Sequence, residues 1–230
     1  PGGIINIISK TGLEESGSVA TTIGLDYDTL RTDFEYGGEI SDSLLFHVGG
    51  FIRQGEGARN AGYTANKGGQ LKANITKEFD QGYVRLYFKH LDDRTIGYLP
   101  MPMQSDGSSL PGFDAKSDTP HSAYFLSTLS LGADGEIRRG DMRDGMHPQV
   151  TAFGFEASFD LGNDWQIENR FRKSEVSGSF LSPFPAEVGD ASSIANSIAG
   201  EGATLTYANG PSAGEQFNGG NIMRIHTFDV

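Results

Sequence analysis

Apolar and polar residues alternate with a period of two along most of this chain, in segments of about a dozen residues. In residues 30–40, LRTDFEYGGEI, one parity holds Leu30, Thr32, Phe34, Tyr36, Gly38 and Ile40. The other holds Arg31, Asp33, Glu35, Gly37 and Glu39, so four charges share a side. Successive side chains of a strand point to opposite faces of its sheet. Such a segment therefore builds a wall with one apolar and one charged surface, whereas a helical period of 3.6 would mix the two sets.

Seven further segments read in the same way. Residues 17–27 gather Val19, Thr21, Ile23, Leu25 and Tyr27 on one face, and residues 44–53 are apolar on both. Leu71, Ala73, Ile75 and Phe79 oppose Gln70, Lys72, Asn74, Thr76 and Glu78. Val84, Leu86 and Phe88 oppose Tyr83, Arg85, Tyr87 and Lys89. Further on, Phe153, Phe155 and Phe159 share a side, and Trp165, Ile167 and Phe171 oppose Gln166, Glu168, Arg170 and Arg172. Residues 221–230 begin an eighth strand.

Strands of soluble proteins average about 5–6 residues, and a tilted strand crossing a bilayer needs about 9–11. The expected class is therefore all-β: an antiparallel transmembrane β-barrel portion of about eight long strands, apolar side to lipid and charged side to the lumen. A soluble sandwich or lipocalin-like barrel also alternates, but its interior is packed or apolar. The charged side of these segments does not suit such an interior.

The connections support the membrane alternative. Tight turns are expected at Asp28 and at residues 41–43, 80–82 and 162–164, while residues 54–68, 93–146 and 178–220 form long connections. Outer-membrane barrels pair short periplasmic turns with long extracellular loops. Structureless loops beyond about 12–15 residues are uncommon in compact soluble domains. Within the long connections, SAYFLSTLSL (residues 122–131) suits a hairpin or short helix. Asp190 stands as an N-cap before apolar residues at helical spacing, which predicts a short helix.

Several function classes find no support. No apolar run approaches the ~18 residues of a spanning helix. A net charge of −12 disfavours nucleic acid as the main partner. Without cysteine there is no disulfide or thiolate metal site. His47, His90, His121, His147 and His226 are scattered without metal-ligand spacing. GEGARNAG (residues 55–62) lacks the lysine and the βα context of a phosphate loop. Asp134, Glu136, Asp141 and Asp144 cluster without calcium-loop spacing. No nucleophile, base and acid converge, so neither an enzyme nor a cofactor is expected. Tyr27, Phe79, Tyr83, Phe159 and Trp165 lie near strand ends, as the aromatic girdles of a barrel do.

The opening PGGIINIISK, followed by TGLEESG, resembles the end of the plug domain and the linker in TonB-dependent outer-membrane receptors. The resemblance implies that residues 1–10 are the last plug strand, 11–16 the linker and 17–230 the N-terminal part of the barrel, the chain being a fragment. It implies an outer-membrane location in a Gram-negative bacterium and energy-coupled uptake of a scarce nutrient, such as a ferric siderophore, cobalamin or a saccharide. The partners would be outer-membrane lipid, a TonB-type energy-coupling complex acting through the plug, and a small-molecule substrate. Loop residues would receive that substrate: Arg59 and Tyr63 in one loop, Tyr98, Met101, Met103 and Phe113 in the next. A passive porin-type channel, or a small complete barrel serving as an adhesin or structural protein, are the alternatives.

Overall fold

The computed structural model describes residues 2–5, 8–99 and 101–229. Its elements in chain order are β1 (Ser16–Ile23), β2 (Leu30–Ser41), β3 (Leu44–Gly55), β4 (Asn66–Phe79), β5 (Gly82–Arg94), β6 (Ser127–Leu131), β7 (Ile137–Asp141), β8 (Gln149–Gly162), β9 (Trp165–Ser177), β10 (Leu181–Asp190), α1 (Ala191–Ala199) and β11 (Asn221–Asp229). The fold is all-β and antiparallel. Seven long strands form one sheet in the order β1-β2-β3-β4-β5-β8-β9, while β6–β7 and β10–β11 form separate two-stranded sheets. The seven-stranded sheet is open, with β1 and β9 at its edges.

All eight alternating segments are strands, with two adjustments. The first ends at Ile23 rather than Tyr27, because the Gly24 N–H donates to Thr29 O (2.9 Å) and closes a turn. The last segment, β11, pairs with β10 and not with β9. Nothing in LSPFPAEVGD announced β10, since Pro183 and Pro185 cannot donate to a ladder. The register slips between Pro185 and Glu187, as an interrupted edge permits.

The register carries the alternation coherently across the sheet. Phe46, Ile75, Leu86, Phe155 and Phe171 face one another in a single row through β3, β4, β5, β8 and β9. One position along, His47, Asn74, Tyr87, Gly154 and Arg172 form a row on the opposite surface. The apolar surface is uncovered: Leu86 is 53% exposed, Phe153 59% and Phe171 56%. This is contiguous exposure, unlike the single apolar residues common on any surface.

The three turns β2–β3, β4–β5 and β8–β9 lie at one end and are tight. Two backbone bonds staple them together, Glu78 N–H to Ser43 O and Asp160 N–H to Gln81 O, both 2.8 Å. In the third turn Asn163 (φ 53°) and Asp164 (φ 64°) both adopt the left-handed conformation that a two-residue hairpin with the strands' own twist requires.

The long connections gather at the other end and hold most of the buried core. Ala61, Ala65, Ile96, Met142 and Leu181 are all buried there, while Leu45 and Ala152 are the buried apolar residues of the sheet. The 122–131 segment contributes β6 to a hairpin with β7. The helix α1 starts as its sequence predicts: Asp190 accepts the Ser193 N–H at 2.8 Å, and Ile194 and Ala195 are buried.

The expected plug strand over residues 1–10 carries no strand among the described residues, and Ile4, Ile5 and Ile8 are largely exposed. The linker, by contrast, is docked. Gly12 is buried at φ 84°, and a Cβ there would fall 2.1 Å from Phe46 O. Backbone strain of this kind costs about 1–3 kcal/mol, and each 1.4 kcal/mol is about tenfold in an equilibrium. Gly12→Val is therefore expected to release the linker and speed tryptic cleavage after Lys10 about tenfold. An unchanged cleavage rate would show that the linker contact is dispensable.

Candidate functional site

The charged surface is concave and lines an open cavity of about 840 Å³. Its side chains come from alternate positions of strands running in opposite directions, so charges distant in sequence meet there. Arg53 forms a two-pronged bond to Asp93 at 2.8 and 2.7 Å. Arg31 holds Asp33 in the same manner at 2.8 and 2.6 Å, with its guanidinium 4.0 Å from the centre of the Phe51 ring. The Tyr83 and Tyr87 hydroxyls both donate to Glu156. Tyr83 thus faces the cavity and does not join an aromatic girdle. Phe79 and Phe159 do sit on the apolar surface at the tight-turn end, ring centres 5.7 Å apart, and Trp165 is 72% exposed beside that end.

The segment before β1 lies on this same surface. The Asn74 amide donates to Lys10 O at 2.9 Å, and the Lys10 ammonium pairs with Glu35. Ile8 and Ser9 also line the cavity. The chain preceding the sheet therefore runs into its concave side.

At the end of the sheet opposite the tight turns, the long connections interlock into a cap. Asn60 bridges to Asp118, Thr95 to Met146, and Met146 to Phe180, so the three long connections are joined through their backbones. Ser182 adds a hydroxyl bond to Gly97 O at 3.2 Å.

The six expected substrate residues do not form one cluster. Arg59 and Tyr98 meet, the guanidinium 5.7 Å from the ring centre, but the Arg59 Nη1 donors are already satisfied by Ala115 O (2.8 Å) and Asp118 O (3.0 Å). Tyr63 packs against Ala61, Ala65 and Ile96, and burial holds its hydroxyl protonated well above the usual phenol range. Met101 lines a small groove against Phe184–Val188 residues of β10. Met103 bridges to Ser109 and is half exposed, and the Phe113 N–H closes a turn on Leu110 O. Arg59 and Tyr63 thus hold the cap together, Tyr98 and Met103 are its exposed side chains, and Phe113 is half-buried.

His121 was not singled out by spacing, yet it lies at the centre of the cap. It is 4% exposed, its Nδ1 is 2.8 Å from Thr119 Oγ1, and its ring meets Tyr63 edge-on at 6.4 Å. Nε2 has no hydrogen-bond partner. Burial lowers its pKa from 6.5 to about 4. The neutral ring is therefore favoured in the folded cap: its contribution is complete above pH 6.5 and is lost as pH falls toward 4. A shift of this size corresponds to on the order of 3 kcal/mol. The protection factors of residues 119–142, exchange taken relative to the intrinsic amide rate at each pH, are expected to fall between pH 7 and 4.5, and His121→Phe is expected to flatten that profile. A profile identical in the two proteins would remove His121 as its cause.

Among the described residues, no group of three or more His, Cys, Asp or Glu side chains is placed to hold a metal ion. The acidic cluster of residues 133–145 is taken up by arginines: Asp134 by Arg138, Asp141 by Arg143 and Asp144 by Arg94. Searches against family models, curated proteins and solved structures return no match to this chain.

Proposed function

We propose that this chain forms part of the wall of an outer-membrane receptor of the TonB-dependent kind, which takes up a scarce nutrient with energy supplied from the inner membrane. The observation that carries this reading is the placement of residues 8–12. They are bonded onto the concave charged surface, which is where a chain emerging from a lumenal plug would run. The uncovered apolar surface suits lipid, and strands of 12–14 residues from β2 to β5 suit a tilted crossing, which needs about 9–11. Unpaired backbone groups are costly in hydrocarbon, so this reading requires further strands to join β9 to β1.

Substrate would enter through the cap, where Tyr98, Met103 and Phe113 are the candidate contacts. The test is uptake of labelled ferric siderophore, cobalamin and oligosaccharide by cells with and without the gene, each with and without a protonophore. Uptake that requires both the gene and the proton gradient supports the receptor. Gene-dependent uptake that survives the protonophore indicates a passive channel instead. Loss of adhesion without any loss of uptake indicates the anchor.

A further inference from the structure

Four cations on the concave surface have an acidic partner. Lys10 pairs with Glu35, Arg31 with Asp33, Arg53 with Asp93 and Arg170 with Glu156. Arg85 instead donates to the Thr76 hydroxyl at 2.7 Å and faces Glu156 across the sheet, which leaves three neighbours at mid-sheet. Lys72 and Lys89 stand directly opposite each other on β4 and β5, and the Lys89 ammonium feels the charges of both Lys72 and Arg172. Among the described residues none of these three has a carboxylate within ion-pair distance. Arg172 makes a side-chain bond to the Ser174 hydroxyl at 2.8 Å.

The surroundings are small. Lys72 faces Gly49 on its other side, Lys89 faces Ala152, and Arg172 faces Gly154. All six residues line the 840 Å³ cavity. Like charges directly opposite one another destabilise a sheet, and room above them is left by two glycines and an alanine. A cluster of this kind gains from a ligand that returns the missing negative charge.

We propose that Lys72, Lys89 and Arg172 form a binding site on the concave surface for a small, multiply charged oxyanion of the phosphate class. The Arg172 guanidinium offers paired N–H donors to two oxygens, and the lysines supply point charge on the far side. The register alone places the cluster on the charged side, so the site does not depend on what surrounds the apolar side.

The test is thermal unfolding of the intact detergent-extracted protein with inorganic phosphate, against sodium chloride at equal ionic strength. Phosphate is expected to raise the midpoint beyond chloride. Lys89→Gln is expected to raise the midpoint without phosphate, by relieving repulsion, and to erase the phosphate shift. Arg172→Gln, at an exposed position, is expected to weaken phosphate binding at least tenfold, and Lys72→Arg to retain it. Phosphate acting no better than chloride would overturn the site. So would a Lys89→Gln protein less stable than the parent without phosphate, because the cluster would then be holding a carboxylate of the polypeptide itself.

Discussion

Leu86→Arg is expected to cost about 2–4 kcal/mol of folded stability in a bilayer, the cost of a cation on the lipid side of a barrel near mid-depth. Leu86 lies in the row that joins Ile75 to Phe155 on the apolar surface, and it is half exposed. Gln70→Arg places the same side chain on the concave surface, two residues from Lys72, where the added like charge is expected to cost no more than about 1 kcal/mol. Urea titration of both variants refolded into lipid vesicles measures the difference. Equal tolerance of the two arginines would mean that lipid does not cover the apolar side, and the membrane reading would fall.

Met142→Ala is the second large effect, and it is local. Met142 is fully buried; its N–H donates to Leu126 O at 3.0 Å, and its carbonyl accepts the Tyr63 hydroxyl at 3.4 Å. Truncating a buried methionine costs about 2–5 kcal/mol. Because the cap has its own core, that loss is expected to appear as faster hydrogen exchange in residues 56–65 and 119–146, with β2 to β5 unchanged. Simultaneous loss of protection in cap and sheet would show instead that the two fold as one cooperative unit.

The contrast between these variants explains what was legible in the sequence. A single-layer wall has a different environment on each side, so most of its strands alternate, and its seven segments could be read without knowing their partners. The tight turns were legible for the same reason, as brief interruptions of the alternation. Register did not follow: a turn over residues 80–82 would set Lys72 opposite His90, whereas the two-residue turn between Phe79 and Gly82 sets it opposite Lys89. Nor was the cap legible. Its contacts join residues far apart, such as Asn60 with Asp118 and Gly97 with Ser182, in stretches with no period. Arg59 and Tyr63 are candidates by loop position alone, and position says nothing of which donors are already spent. The strand β10 was hidden by its prolines, and with it the true partner of β11.

The interleaving of charge with apolar side chains also matters before any strand has formed. In a translocation channel a central apolar residue favours insertion by about 0.3–0.6 kcal/mol, and a charged one opposes it by about 2.5–3.5. The segment that becomes β2 carries four charges among its 12 residues, so it offers such a channel nothing to retain. On the outer-membrane reading proposed above, the extended chain would pass through as polar material. A lipid-compatible surface would then arise only as neighbouring strands pair, which would make insertion and folding a single event.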